Sequence, residues 1–549
     1  MHIIRNNSLF AFLILACSAL AQNNAKLSLI MNMVHNNPGE PVYISKYNSP
    51  VVVKEMGYNS KCFFLFDSPM LAINWDELDV DIIPKGSAAC SWVEIKAKRL
   101  DSLYNDCKKN GIDVYAMSDL ILFPKRLVQK YGIENTFGNP QDAQTEKFLR
   151  FQLHQMFTQF PQMDGIVVRI GETYLEDAPY HIGNIKNKED AQNTIIPLLK
   201  ILRDEVCVKL DKKVIFRTWY SFDVNEKTYR EIDAAIEPHK NLVISVKHCE
   251  GDFHRGNSFS KVLGIGGHKQ IVEVQCAREY EGKGAYPDYI ANGVINGFEE
   301  HKQLEKEGKI WNMKGLAKTG KLNGIWTWSR GGGWEGPYIK NELWPDLNAW
   351  VMAQWANNTN ETEESIFQRY ATQHLKLSND DAVKFRQLAL LSAKAIIRGR
   401  RSLEYSTDID TWWTRDEYIS FPILPKDENK VKVILAEKDK SIAIWKEIVN
   451  ISKDIKFKNK VTDRTVVCSS LYGLYLYRIY RSLFYLSAID NGTYSMKEKA
   501  KYIAEYDAAW KDYQTLPVQY PDVCATLYSK SIIRRVTGEV ADQKVEEMR

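Results

Sequence analysis

Two apolar, β-branched runs end in glutamate: Gly165-Ile-Val-Val-Arg-Ile-Gly-Glu172 and Ile271-Val-Glu-Val-Gln-Cys-Ala-Arg-Glu279. If each run is a strand and both ends reach one mouth, the two carboxyls flank a bond, one protonated as general acid and the other ionised as base or nucleophile. Glycoside cleavage needs such a pair. Each glutamate alone has a plainer reading as partner of a neighbouring arginine, Arg169 for Glu172 and Arg278 for Glu279. Their matching positions at two strand ends favour chemistry. A third carboxylate comes from Lys247-His-Cys-Glu-Gly-Asp252-Phe, and Phe216-Arg217-Thr-Trp219 adds a second cation. Lys247 and Arg217 converging at a mouth suit an anionic substrate group, because a carboxylate accepts a forked guanidinium bond plus a point-charge ammonium. The same two cations suit neutralisation of Glu172, Asp252 and Glu279 equally well.

Flat aromatic faces complete the candidate set. Trp219 ends one run, and Trp326, Trp328 and Trp334 surround Gly331-Gly-Gly333, as a sugar-stacking platform or as packing between domains. The glycines favour the platform for Trp328 or Trp334. His248 adjoins Lys247 and Tyr280 follows Glu279, which makes both candidates for substrate contact. His35, His181, His248 and His254 lie on separate loops without HExxH spacing, so no metal site is expected, and the chemistry requires no cofactor. Asn36-Asn-Pro-Gly-Glu40 has the composition of a turn.

The elements that must position these residues are legible as eight short runs separated by amphipathic stretches. They cover residues 26–35, 62–67, 112–119, 165–172, 214–219, 242–248, 271–279 and 324–330. Eight strands alternating with helices over about 300 residues fit an α/β fold, a (β/α)8 barrel, whose active sites lie at the C-terminal face. Several runs end in polar or aromatic residues there: His35, Asp67, Asp119, Glu172, Trp219, His248, Glu279 and Arg330. An open doubly wound sheet is the alternative, but no glycine-rich phosphate loop follows the first run. Beyond Trp344-Pro345 long helical periodicities replace strand signals, which predicts a barrel over 22–345 and an all-α C-terminal domain over 346–549.

Composition narrows the partners. The 549 residues are 44% hydrophobic and 26% charged, ordinary globular usage, and the net charge of +4 calls for no nucleic acid. Aromatics are high at 11%, with 14 Trp and 28 Tyr. His2 and Arg5 precede an apolar run, Leu9 to Ala16, followed by Ala19-Leu-Ala21, the pattern of a signal peptide over 1–21. The expectation is a secreted or periplasmic protein with no membrane association, unless Cys17 serves as a lipoprotein site instead. The eight other cysteines are widely spread with no CxxC, and read as small buried hydrophobes.

As an ordered set, these motifs resemble glycoside hydrolase family 67, the xylan-acting α-glucuronidases. The resemblance runs over about residues 160–350: the Glu172 strand, the Phe216–Trp219 segment, Asn241 to Phe253, Ile271 to Tyr280, and Glu342-Leu-Trp-Pro-Asp-Leu-Asn348. It implies Glu172 as general acid, Asp252 and Glu279 as carboxylates that activate water, and Lys247 and Arg217 as ligands of the sugar carboxylate. The chain departs from the family after Glu172, where it reads Thr-Tyr-Leu-Glu-Asp-Ala-Pro-Tyr-His181 in place of a glycine-proline stretch, and it shows no β domain before the barrel. The expected activity is exo-acting removal of an α-linked glucuronic acid from an acidic oligosaccharide or polysaccharide, with inversion. Two alternatives stay open: a retaining glycosidase using Glu172 and Glu279, and a non-catalytic carbohydrate-binding barrel.

Overall fold

The computed structural model describes residues 26–35, 45–171, 175, 177–251, 253, 256–276, 284–330, 339–405, 419–528, 530 and 540–549. Eight parallel strands close into a barrel: β1 (Leu29–Val34), β2 (Ser60–Phe63), β3 (Asp113–Asp119), β4 (Met163–Arg169), β5 (Lys213–Arg217), β6 (Leu242–Lys247), β7 (Lys269–Gln275) and β8 (Leu322–Arg330). β1 closes the ring by pairing with both β8 and β2, with Leu29 opposite Gly324 and Met31 opposite Ser60. All eight runs legible in the sequence are strands. Parallel barrel strands are covered on both faces and so read as continuous apolar runs. Their C-terminal ends stop short of the sequence expectation: β2 ends at Phe63, β4 at Arg169 and β7 at Gln275.

Two glycines let the strands approach. A Cβ on Gly165 would lie 2.3 Å from the Lys213 carbonyl oxygen, and one on Gly324 would lie 2.1 Å from that of Leu29. Helices cover the outside of the barrel, among them α1 (Pro50–Glu55), α2 (Ala88–Lys109), α3 (Ala143–Gln159), α4 (Ile196–Leu202), α5 (Glu226–Ala235) and α6 (Met313–Lys318). Several open on an oxygen that takes an otherwise orphaned N–H: Ser87 accepts from Cys90, Asp142 from Thr145, and Asn225 from Thr228.

α7 (Leu343–Asn357) packs on β8 and β1, with Leu27 N–H donating to Ala356 O at 2.8 Å and the Tyr58 hydroxyl to Ala349 O at 3.0 Å. It acts as the eighth barrel helix, so the boundary expected at residue 345 falls inside an element that closes the barrel. The C-terminal region is helical, built on α8 (Glu363–Arg369), α9 (Asn379–Arg400), α10 (Glu428–Asp454), α11 (Lys460–Asp490) and α12 (Lys499–Gln519), with α9 to α12 packed in sequence order. Among the described residues no helix is long and apolar enough to cross a membrane. Eight described cysteines are free, and all but the half-buried Cys90 are buried.

Candidate functional site at the barrel mouth

Alternation along each strand sends every second side chain into the barrel. The deeper layers are apolar, with Leu29, Met31, Tyr115, Val167, Ile215, Val243 and Ile271 in one cluster. Above them the interior turns polar. Arg217 on β5 makes a bidentate pair with Glu273 on β7, Nε to Oε1 and Nη2 to Oε2 both at 2.8 Å, and each side chain is 1% exposed. The Ser245 hydroxyl donates to the same carboxylate at 2.8 Å, and Arg217 Nη1 lies 3.6 Å from Met117 Sδ. The guanidinium is further boxed in by the rings of Trp219, Trp326 and Trp328 at 5.1, 5.2 and 5.3 Å.

The uppermost layer holds a second buried ion pair, Arg169 Nε to Asp119 Oδ1 at 2.9 Å. Burial pushes the Asp119 carboxyl above its ordinary range, against the pull of Arg169. Arg169 thus has a partner across on β3; its sequence neighbour Glu172 lies outside the described residues. Trp219 collects three cations: Lys247 Nζ lies 4.6 Å from its ring centroid, Arg217 5.1 Å and Arg169 5.8 Å. Lys247, 5% exposed, also lies over Phe253 at 5.4 Å and donates to Gly251 O at 2.7 Å. His248 stacks on Phe253 at 5.3 Å, and Trp328, 4% exposed, stacks on His35 at 4.7 Å.

Arg217, Trp219, Lys247, His248 and Trp328 thus form one cluster at the C-terminal end of the barrel. Arg217 sits lower than expected, with its fork directed at Glu273, so an anion arriving at the mouth meets Lys247 before it. Trp328 is a wall of the barrel interior, stacked on His35. Glu172, Asp252, Glu279 and Tyr280 lie outside the described residues, as does Trp334. Among the described residues no group of three His, Cys, Asp or Glu is placed to hold a metal ion.

Several residues that organise the mouth were not among the candidates read from the sequence. Asp223, 3% exposed, accepts from the Thr218 hydroxyl at 2.6 Å and is hydrogen-bonded to the backbone of Gly251, tying the exit of β5 to the turn that receives Lys247. Burial raises its carboxyl to about 6, with Lys247 pulling the other way. Asn348 on α7, 1% exposed, donates to Cys276 O at 3.3 Å and Asp288 O at 2.9 Å, and accepts from Ile290 N at 3.0 Å and Ala291 N at 3.1 Å. One side chain therefore holds both ends of the segment between β7 and residue 288. The helical region supports the same segment, with Tyr286 packed against Trp445, Tyr472 and Tyr477 and the Tyr289 hydroxyl donating to Glu363 at 2.5 Å. Gln275, two residues beyond Glu273 on the inward face of β7, is fully buried with neither amide atom hydrogen-bonded. Glu273 and Gln275 had one readable sign, since a charge and an amide inside an apolar strand require buried partners or a ligand.

No family model matches the chain, and no curated protein matches it. Among solved structures, a GH138 enzyme targeting pectin rhamnogalacturonan II superposes with a TM-score of 0.56 at 15% identity over 95% of this chain. The chain spans 66% of that enzyme, just under two thirds of its length. A GH84 protein gives a TM-score of 0.41 at 12% identity, covering 95% of this chain and 78% of the other. A mutant O-GlcNAc hydrolase of Thermobaculum terrenum gives 0.40 at 10%, covering 95% and 93%. At these identities the first likeness is one of fold.

Proposed function

We propose that this protein is a secreted or periplasmic glycoside hydrolase that removes an acidic sugar, an α-linked glucuronic acid, from a polysaccharide fragment. The observation that carries the reading is the Lys247 ammonium at the barrel mouth, held between the faces of Trp219 and Phe253 at 4.6 and 5.4 Å. A uronate needs one cation and one flat apolar face side by side. The ordered likeness to family 67 supports Glu172 as the acid that protonates the glycosidic oxygen, with Asp252 and Glu279 orienting water on the opposite face for a single displacement with inversion. The GH138 enzyme of like fold acts on a pectin polysaccharide, which supports a polysaccharide by analogy of fold.

Because the fork of Arg217 is engaged by Glu273, selectivity for the charged sugar rests on Lys247. A hydrogen bond to a charged group contributes about 1.5–3 kcal/mol, so a uronide should exceed the matching neutral glucoside in kcat/KM by about ten- to hundredfold. Lys247→Ala should erase that preference while activity on the neutral sugar changes little. Steady-state kinetics on the two glycosides decides it: equal losses on both overturn the uronate, and following the first-formed anomer by NMR tests inversion.

A further inference from the structure

A cavity of about 880 Å3 opens on the mouth face of the barrel, displaced towards the exits of β2, β3 and β4. Its size falls in the range of ligand pockets, roughly 300–1,000 Å3. Asp119 ends β3 beside Arg169, and Pro124 already lines the cavity, so the connecting five residues span at most about 18 Å. An oligosaccharide of a few units bridges that distance.

The charge of the lining is one-sided. Lys130 is outweighed by Asp79 and Asp81 at 2.6 and 3.0 Å, a group with one net negative charge, and Asp81 is the carboxylate of the lining; Lys125 and Arg126 tip the balance to positive. Lys125 donates to the carbonyl of Pro179 at 2.7 Å, which satisfies a proton, and makes no ion pair among the described residues. Arg126 is exposed and its guanidinium makes no ion pair among the described residues. α2, 22 residues long, opens on the cavity with no acidic residue in its first turn, so its positive end adds to both cations. An independent sign of a ligand comes from His181, which lines the same wall at 2% exposure with Nδ1 lacking any hydrogen-bond partner. Burial, aided by Lys96 and Lys125, pushes this imidazole down to about 3, so it is neutral and able to meet a hydroxyl. Half-buried Tyr180 supplies a ring on the same wall.

We propose that this cavity is an accessory subsite that holds a carboxylate-bearing sugar of the glycan, several units away from the bond cleaved at the mouth. The inference rests on the acidic-glycan reading of the mouth. Arg126 takes the carboxylate with its fork, Lys125 and the α2 terminus add field, Tyr180 faces the ring, and His181 meets a hydroxyl.

Titration calorimetry of the full chain with hexagalacturonate tests it, with maltohexaose as neutral probe and inorganic phosphate as small anion. Hexagalacturonate should bind, weaken with added salt, and weaken about tenfold or more in Arg126→Ala, a surface change that leaves folding intact. Unchanged affinity in Arg126→Ala overturns the subsite, as does equal binding of maltohexaose. Phosphate competing as effectively as the hexamer also overturns it, in favour of a general anion site. The two readings fail separately. Loss of hexamer binding in Arg126→Ala without turnover of any acidic glycan removes the hydrolase and keeps the subsite, whereas turnover with unaltered binding removes the subsite alone.

Discussion

The Arg217–Glu273 pair is the most consequential polar contact inside the barrel, and Glu273→Gln probes it with almost no change of shape. Both side chains are 1% exposed, both Glu273 oxygens are 2.8 Å from guanidinium nitrogens, and Ser245 donates to one of them. In the variant an amide N–H faces a guanidinium N–H, and a full positive charge stays buried against three indole faces without its forked carboxylate. Breaking a buried pair by removing one charge costs about 3–5 kcal/mol. With about 2.1 cal/mol/K of unfolding entropy per residue, the 549-residue chain melting as one unit would have about 1.2 kcal/mol/K, so Tm should fall by about 2–4 °C. Melting of the barrel alone would enlarge the shift by about 1.7-fold. Removing both charges in Arg217→Met/Glu273→Leu should restore stability to within about 1 kcal/mol of wild type or better, since the desolvation of both ions disappears with their attraction. Scanning calorimetry of wild type, Arg217→Met, Glu273→Leu and the double variant measures the coupling. Additive losses in the double variant would refute the reasoning, because the two groups would then be neutralised by other partners.

The buried Asp223 carboxyl titrates near 6, above its unfolded value of 3.8, so the folded state holds the extra proton between those values and stability should fall as pH rises through that window. Asp223→Asn should remove this fall, a difference on the order of 3 kcal/mol between wild type and variant above pH 6, read from denaturant midpoints at pH 4 and pH 7. Asn348→Ala strips partners from two carbonyls and two N–H groups at once; a loss of about 3 kcal/mol or more is expected, with faster amide exchange at Ile290 and Ala291 by mass spectrometry. Protection equal to wild type would mean that the segment is held by Tyr286 and Tyr289 instead.

The barrel was legible in the linear chain because each of its strands is covered on both faces, and a doubly covered strand must be apolar along its whole length. The cations and rings of the mouth were legible for a related reason: Arg217, Trp219, Lys247 and His248 interrupt apolar runs at their C-terminal ends, where a barrel exposes its interior. The long helices of the C-terminal region announced themselves by their period. What the chain alone left undecided is partnership. β3 and β4 are neighbours in the closed ring, and the Arg169 side chain finds Asp119 fifty residues earlier, a partner that sequence proximity does not suggest. Arg217 and Glu273, fifty-six residues apart, meet because alternation on β5 and β7 turns both inward across β6. Asp223 sits in a segment with no periodic or motif signal and Asn348 closes a motif that gave it no role of its own, and both matter through the backbone groups that folding brings to them. Local pattern is set by burial along one element, whereas ion-pair and hydrogen-bond partners are set by which elements adjoin and at what register, and that is a property of the closed barrel as a whole.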